Sequence, residues 1–340
     1  MTSLPVLSDG FARTVSYLRV SLTDRCNYRC RYCMPEEGVD LVPKADVLSF
    51  EEVERLVRVM MRFGVRRVRL TGGEPTVRKD VVALVERLGA LGLDDLSMTT
   101  NGERLVELAG PLRRAGLSRL NVSIDTLDPA KFHAITRRGN LERVLAGVEM
   151  AREVGFSGTK INAVVMGGVN DDDVPALCAW AWSRELVPRF IEFMPMSDGA
   201  LLANAGPGSF VAAAAIRVRI EAAFGPLVDD DARGIPGVGP ARYQRVAGGR
   251  NQDARVGIIS AVTEPFCATC NRVRLTATGQ LHTCLALDDD SDLRTPLRAG
   301  ASDDELARKV LLAVSAKKEG HSFSTCGTGG PRKHMVAIGG

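Results

Sequence analysis

The stretch Arg25-Cys-Asn-Tyr-Arg-Cys-Arg-Tyr-Cys-Met34 follows directly on a strand-like segment at 17–23. It contains three cysteines, Cys26, Cys30 and Cys33, which we call the first triple. A 4Fe-4S cluster needs four ligands, so three thiolates predict a cluster with one iron open to a ligand from outside the protein. The alternative is a structural zinc site, but such sites take four ligands from nearby Cys and His, and the nearest histidine is His133.

A second triple of cysteines lies in the C-terminal third. Cys267-Ala-Thr-Cys270 is followed, after thirteen intervening residues, by Cys284. A CxxC pair alone is also compatible with a redox site or with zinc, and His282 could complete a zinc set. Because the count is again three, we favour a second cluster with an open iron. Of the two remaining cysteines, Cys178 is predicted to be a buried apolar residue and Cys326 a tail thiol.

Strand-like and helix-like segments alternate through the first two thirds of the chain. The predicted strands are 17–23, 65–71, 96–100, 119–124, 159–166 and 189–194. The predicted helices are 49–63, 79–91, 104–115, 141–153 and 172–186, several of them opening on a Ser or Asp cap. This alternation predicts an α/β fold, an open, partial parallel β/α barrel of about six strands, in which ligands bind at the carboxyl ends of the strands.

The chain is predicted to have three parts. These are a barrel over 1–224, a C-terminal extension over 225–326 that carries the second triple and closes the barrel mouth, and a Gly-rich tail over 327–340. The stretch 225–249 is rich in Gly and Pro and is predicted to be a loop or linker. Short strands are expected at 255–259 and 272–276, and a helix at 302–318. Composition alone predicts that the tail is flexible and disordered.

Composition also excludes several classes of protein. A net charge of +3 does not indicate a nucleic-acid binder. No apolar run has the length of a membrane span, and the N-terminus lacks the apolar core of a signal peptide. We therefore expect a cytoplasmic protein with reduced thiols and no membrane contact. Neither a GxxxxGK[ST] loop nor a GxGxxG loop is present, which argues against a P-loop NTPase or a dinucleotide-binding domain.

These motifs resemble a known family. The aromatic residue before the last cysteine of the first triple and the turn Gly72-Gly-Glu-Pro75 are similar to those of radical S-adenosylmethionine (SAM) enzymes. More specifically, the stretch 18–35, the stretch 267–276, Cys284 and the terminal pair of glycines resemble the GTP 3′,8-cyclase family, which catalyses the first step of molybdenum cofactor biosynthesis. The resemblance covers nearly the whole chain, and the loop 229–249 carries none of the family's motif residues.

The resemblance implies two 4Fe-4S clusters and SAM as cofactors, and GTP as the substrate. It implies that SAM, bound at the open iron of the first cluster, yields a 5′-deoxyadenosyl radical that takes hydrogen from C3′ of GTP, after which C3′ attacks C8 of guanine. The implied SAM contacts are Tyr32, Gly73, Ser123 and Met194. The implied GTP contacts are Arg19, Arg69, Thr99, Lys160, Arg272, Val273 and Arg274, and the second cluster's open iron binds the guanine base.

Four residues are implied to be catalytic, namely Arg272, Arg274, Gly339 and Gly340. The two arginines are two positions apart on a short predicted strand, so their side chains project to one face. In the family the paired terminal glycines reach into the active site. That expectation conflicts with the disordered tail that composition predicts.

The resemblance also implies partners, a low-potential electron donor and a downstream cyclic pyranopterin monophosphate synthase, but no nucleic acid. The sequence is compatible with a homodimer and does not set the oligomeric state. Two other functions stay open. A radical SAM enzyme that modifies peptides usually has more auxiliary cysteines than this extension, and a non-catalytic iron–sulfur electron carrier would need neither a partial barrel nor an open iron.

Overall fold

A single twelve-stranded sheet is the framework of the computed structural model, which describes residues 6–197, 199–206, 208–231, 233, 235 and 239–339. The strands are β1 (Tyr17–Ser21), β2 (Arg67–Thr71), β3 (Asp95–Thr100), β4 (Arg119–Ser123), β5 (Lys160–Val165), β6 (Val187–Glu192), β7 (Leu227–Asp230), β8 (Arg242–Val246), β9 (Arg255–Ile259), β10 (Arg272–Leu275), β11 (Gln280–His282) and β12 (Asp290–Asp292). They pair in the order β12-β11-β10-β1-β2-β3-β4-β5-β6-β9-β8-β7.

Eight neighbouring strands, from β10 through β1 to β6 and on to β9, run parallel and form the wall of an open barrel. Antiparallel pairs extend both edges, with β11 and β12 on one side and β8 and β7 on the other. The two edges do not pair with each other in the described part of the sheet. The predicted α/β class and open parallel barrel are confirmed.

The helices of the described chain are α1 (Phe50–Met61), α2 (Val81–Gly89), α3 (Leu105–Arg114), α4 (Pro129–Thr136), α5 (Leu141–Glu153), α6 (Val174–Trp182), α7 (Ala200–Asn204), α8 (Ala213–Phe224), α9 (Arg294–Arg298), α10 (Asp303–Ser315) and α11 (Met335–Ile338). Ser49 and Ser302 begin α1 and α10 with capping boxes, in which Ser and the third helical Glu satisfy two backbone N–H groups. None of these helices has the length and apolarity needed to cross a lipid bilayer.

Alternation along the barrel strands separates an apolar face from a polar one. In β1, Leu18 and Val20 are fully buried in the core shared with the helices, while Arg19 lies between them on the other face. Each such buried Leu or Val contributes roughly 1.5–3 kcal/mol to folding. The strand register aligns Arg19 with Arg274 of β10 and with Arg69 of β2. The basic side chains of neighbouring strands therefore share the inner face of the barrel.

The structure corrects several element predictions. The stretch 225–249, expected to be a loop, contains β7 and β8, which pair with each other and attach to β9. Helices α4 and α8 were not predicted. The number of parallel strands is eight because β9 and β10, from the predicted extension, continue the two edges of the six-stranded wall.

The tail packs against the barrel, in contrast to the disorder that composition predicts. In α11, Val336 is 2% exposed and Ile338 is 1% exposed. A Cβ atom at Gly339 would come within 2.8 Å of Ser21 Cβ and 2.9 Å of Thr71 Oγ1. Gly339 also has a φ of +83°, so only a residue without a side chain fits this position easily. The other predicted catalytic glycine, Gly340, lies outside the described residues.

Candidate active site

The polar face of the barrel surrounds a cavity toward the carboxyl ends of its strands. Each of the first six strands contributes to its lining, with Arg19, Arg69, Thr99, Ser123, Asn162 and Ile191 as examples. Tyr32 of the first triple's loop and Cys267, Cys270 and Cys284 of the second triple line the same cavity. A ligand in this space would therefore meet the surroundings of both triples.

Most residues predicted to bind SAM or GTP line this cavity. They are Arg19, Tyr32, Arg69, Thr99, Ser123, Met194, Arg272 and Arg274. Val273 does not, because it alternates with the two arginines and is fully buried in the apolar core. Its side chain therefore cannot contact a nucleotide in the cavity, and only its backbone is available. Gly73 and Lys160 also lie outside the lining.

Lys160 is the first residue of β5 and lies deep in the barrel, 2% exposed. Burial, with the positive charges of Arg189, Arg119 and Arg69, lowers the pKa of its amine to about 6. Asp95 opposes this effect, but its carboxylate is already paired with Arg119. The cations around Lys160 outweigh Asp95, and an anionic ligand would favour the charged form of the amine.

Arg19 lies at the centre of a basic cluster on β10, β1 and β2. Burial, followed by the charges of Arg274 and Arg69, holds the pKa of Arg19 well below its ordinary value. Buried cations that face one another are costly unless a counter-charge and hydrogen bonds satisfy them. Planar guanidinium groups form paired bonds with phosphate oxygens. The cluster thus fits a polyphosphate.

Arg189 in β6 is a cavity residue that sequence reasoning missed. It is 2% exposed and donates hydrogen bonds to Asn162 Oδ1 at 2.9 Å and Asn121 Oδ1 at 2.6 Å. Burial lowers its pKa to about 10. A signal was available, because Arg189 is a charged residue within a predicted central strand, as are Arg19 and Arg69.

The thiols of the first triple are held in their protonated form when no metal is bound. Burial raises the pKa of Cys26 and of Cys33 to about 12. Burial and the negative charge of Asp125 raise the pKa of Cys30 well above its ordinary value. Because metal binding displaces the proton from a thiol, a cluster would supply the positive charge that this site lacks.

The donor sets of both triples fit iron–sulfur clusters. Among the residues that the structure describes, no three Cys, His, Asp or Glu side chains converge as one metal ion requires. In a 4Fe-4S cube each thiolate binds its own iron, so the three thiols of each triple would leave one iron for an outside ligand.

The Gly72-Gly-Glu-Pro75 turn is fitted against the segment that leads into the first triple. A Cβ at Gly73 would collide with the carbonyl oxygen of Arg25, so the backbone approach requires glycine. The buried Glu74 carboxylate accepts hydrogen bonds from Thr100 Oγ1 and from Asn101 N, both at 2.7 Å. The turn thus fixes the ends of β2 and β3 beside the triple.

Asp125 links the first triple to the cavity, and sequence reasoning gave it no role. Its Oδ2 accepts a hydrogen bond of 2.9 Å from the Tyr32 hydroxyl, and its Oδ1 accepts one of 2.9 Å from Val164 N. Burial raises the pKa of this carboxyl to about 6 despite these bonds. Its position two residues after the end of β4 was the available signal, since strand ends carry the site in such sheets.

Cations surround the second triple. Burial would raise the pKa of Cys270, but the positive charges of Arg272 and Lys317 outweigh it and lower the pKa to about 7. Arg272 Nη2 lies 3.7 Å from Cys270 Sγ. Burial raises the pKa of Cys284, and Lys317 partly offsets this. The second triple is therefore prepared to hold negative charge.

Residues of the tail contact the first triple and the basic side chains beside the second. The backbone N–H of Val336 donates a hydrogen bond to the Cys33 thiol, which partly offsets the rise of its pKa by burial. Arg274 Nη1 donates a hydrogen bond of 2.6 Å to the carbonyl oxygen of Gly339. Met335 lines the cavity itself. The last described residues therefore form part of the cavity wall.

Comparison with known proteins gives the family. The model of the radical SAM superfamily matches residues 20–181, and that of Molybdenum Cofactor Synthesis C matches residues 187–323. The GTP 3′,8-cyclase of Heliobacterium modesticaldum is 46% identical over 98% of this chain and 99% of its own length. Those of Caulobacter vibrioides and Nitrobacter winogradskyi are 45% and 44% identical, over 100% and 98% of this chain and 95% of their own lengths. With such identity along its whole length, this chain belongs to the GTP 3′,8-cyclase family of radical SAM enzymes.

Proposed function

We propose that this protein converts GTP to (8S)-3′,8-cyclo-7,8-dihydroguanosine 5′-triphosphate, the first step of molybdenum cofactor biosynthesis. The observation that carries the proposal is that one cavity joins Tyr32 of the first triple's loop, the buried arginines and the second triple. In this assignment residues 1–224 bind SAM, 225–326 hold the second cluster, and 327–340 complete the cavity. The function also fits the family to which the chain belongs.

Cys26, Cys30 and Cys33 would hold the first cluster, and Cys267, Cys270 and Cys284 the second. Bound at the first triple, a 4Fe-4S cluster and SAM supply a reductive cleavage that leads to abstraction of hydrogen from C3′ of GTP. The chain's own contribution is orientation. Tyr32, Gly73, Ser123 and Met194 are the residues that we assign to SAM, and the Tyr32–Asp125 hydrogen bond keeps Tyr32 in place.

The basic face of the barrel would bind and orient the triphosphate. We assign this role to Arg19, Arg69, Lys160, Arg272 and Arg274, and extend it to Arg189. Their mutual repulsion in the free protein is relieved when phosphate oxygens pair with them. Because part of the binding energy comes from this relief, the nucleotide is held firmly while its sugar is aligned for reaction.

The tail would exclude water and fix the position of Arg274. Its carbonyl at Gly339 holds the guanidinium at 2.6 Å, and the close fit against Ser21 and Thr71 leaves no room for a side chain. A closed cavity protects a reactive radical from side reactions. We assign Gly339 and Gly340 to this role, together with Arg272 and Arg274 near the reacting nucleotide.

The reaction needs partners that we infer from its chemistry. Reductive cleavage of SAM consumes an electron, so a low-potential electron donor is required. The cyclised nucleotide would pass to a cyclic pyranopterin monophosphate synthase. Oxygen-sensitive clusters and free thiols suit the reducing cytoplasm, and a homodimer is compatible with the chain.

Anaerobic reconstitution tests the function. The protein should contain about eight iron and eight sulfide per chain, and with SAM and dithionite it should form 5′-deoxyadenosine together with the cyclised nucleotide only when GTP is present. A peptide-modifying enzyme would form 5′-deoxyadenosine without any GTP-derived product. An electron carrier would accept electrons and leave SAM intact. Either result, with both clusters loaded, would overturn the proposal.

A further inference from the structure

Lys317 is a buried cation that ties together two segments of the second triple. It follows α10, is 3% exposed, and donates hydrogen bonds from Nζ to the carbonyl oxygens of Thr283 and Arg272, the latter at 3.3 Å. Thr283 directly precedes Cys284, and Arg272 lies two residues after Cys270. One ammonium group therefore links the start of β10, just after Cys270, to the residue that follows β11, just before Cys284.

Lys317 forms no ion pair with a carboxylate of the described residues. The carboxylate of Asp289, which lies near Cys284, accepts a hydrogen bond from the Thr283 hydroxyl and is not paired with Lys317. A buried ammonium without a counter-charge is costly, by several kcal/mol in typical proteins. Its two backbone acceptors, Arg272 and Thr283, lie within two residues of Cys270 and Cys284, so the ammonium is held beside the second triple.

A second cation, Arg13, gives a natural comparison. It donates hydrogen bonds to the carbonyl oxygens of Cys267 at 2.9 Å, Lys318 at 2.5 Å and Glu319 at 2.5 Å. Arg13 is therefore also a brace of the second triple. Unlike Lys317, it carries its own counter-charge, because its Nε pairs with the buried Asp9 carboxylate at 2.5 Å.

We propose that Lys317 is a positioning residue whose positive charge balances the negative charge of the second cluster and thereby raises its reduction potential. The proposal rests on the proposed function only in requiring that the second triple holds a cluster. Thiolate ligation makes the cluster site negative, and an added electron makes it more negative. A fixed ammonium nearby stabilises the reduced form more than the oxidised form, as charge and hydrogen bonding do in other iron–sulfur proteins.

The test compares variants that separate charge from hydrogen bonding. K317Q removes the charge but keeps N–H donors, K317M removes both, and K317R keeps both. The double variant D9N/R13Q is the matched control. It replaces the Asp9–Arg13 ion pair by two uncharged side chains, so the net charge at this position does not change. Each is reconstituted anaerobically as the full chain, and its iron and sulfide content and thermal unfolding are measured.

The decisive measurement is an EPR-monitored redox titration of the second cluster. Its signal is assigned by repeating the titration with the first triple changed to serine. K317Q and K317M should make reduction about tenfold less favourable, a shift of about 59 mV to lower potential for one electron. K317R and D9N/R13Q should stay within about twofold of the parent protein. The EPR signal of K317Q should still change when GTP is added.

Two outcomes would overturn the proposal. One is an unchanged potential in both neutral variants. The other is a shift in K317R or in D9N/R13Q as large as that in K317Q, which would indicate a structural effect without a role for charge. Loss of the second cluster from both neutral variants but not from K317R would support a charge-balancing role. A parent protein with only about four iron per chain would instead count against the proposed function itself.

Discussion

The two cysteine triples offer the same number of thiols in opposite electrostatic surroundings. Around the first, the carboxyl groups of Glu74 and Asp125 add to burial and raise the thiol pKa values, to about 12 for Cys26. Around the second, Arg272 and Lys317 outweigh burial and lower the pKa of Cys270 to about 7. Two sites with the same number of thiols in the sequence therefore differ in the charges that surround them.

The difference suits two different tasks. Acidic neighbours disfavour the gain of an electron, so a cluster in the first site is a stronger reductant, as cleavage of SAM demands. Cationic neighbours stabilise negative charge, so the second site suits a cluster that stays in place and binds part of an anionic nucleotide. In the proposed function, the charges around each triple would separate these two roles.

The largest expected effect comes from removing one cysteine ligand from the first triple or from the second. Cys30→Ser should abolish SAM cleavage, because the cluster with the SAM-binding iron cannot form. Cys270→Ser should leave the first cluster intact but lose GTP binding and cyclisation. Iron content, SAM binding, GTP binding and formation of 5′-deoxyadenosine are measured for both.

Cys178→Ser is the matched control, since this thiol is buried in the apolar core away from both triples. It should keep both clusters and full activity. If Cys270→Ser cyclised GTP at the parent rate, the second triple would have no substrate role and the comparison would fail.

The tail, which touches the surroundings of both triples, should give the next largest effect. Deleting Gly339 and Gly340 removes the carbonyl that holds Arg274 and opens the cavity to water. Cyclisation should fall by at least about a hundredfold, the cost typical of misplacing a reacting group, while both clusters and GTP affinity stay nearly intact. Product formation and GTP binding are measured side by side.

A single substitution, Gly339→Ala, sharpens this test, because the added methyl group would crowd Ser21 and Thr71 and strain a positive φ. Gly64→Ala is a control at another positive-φ glycine, with nothing within 4 Å of the added carbon. Full activity of the deletion would show that the tail has no part in the reaction.

Much of the fold could be predicted because local sequence encodes it. The family, the six first strands and most of their helices follow from the motifs and from alternating strand and helix patterns. The pairing of β9 with β6 could not be predicted in the same way, because it joins segments more than 60 residues apart, and long-range pairing leaves no local pattern. The Gly and Pro residues of 225–249 favoured a loop, so β7 and β8 were not predicted there.

The site was predictable where a motif carries it and obscure where only packing does. Eight of the residues that the resemblance assigned to SAM or GTP line the cavity. Val273 instead faces the core, because side chains alternate along a strand. Arg189 and Asp125 belong to no cysteine or glycine motif, so their places in predicted strands or at strand ends were weak signals, and the assembled barrel was needed to show their contacts. The tail's burial depends on tertiary contacts that outweigh its disordered composition.

The basic face beside the second triple should give a moderate effect. Arg19→Ala should weaken GTP binding by roughly 1.5–3 kcal/mol, the range for charge-assisted hydrogen bonds, or about tenfold to a hundredfold in Kd. SAM affinity should barely change, because the acidic surroundings of the first triple are untouched. Calorimetry with each ligand makes the measurement, and the exposed Arg114→Ala is the control. Equal loss of both affinities would point to collapse of the barrel.

The smallest effect should be a proton taken up when GTP binds. Lys160 has a pKa of about 6 in the free protein because burial and neighbouring cations disfavour its charge, so its amine is neutral at pH 8. Phosphate groups raise that pKa, and binding then adds up to about one proton per nucleotide. GTP affinity should therefore fall a few-fold as pH rises from 7 to 8. Calorimetry in two buffers of different ionisation enthalpy measures the uptake. Lys160→Met should abolish it, whereas uptake that persists in this variant would assign the proton to another group and leave Lys160 without a role in charge balance.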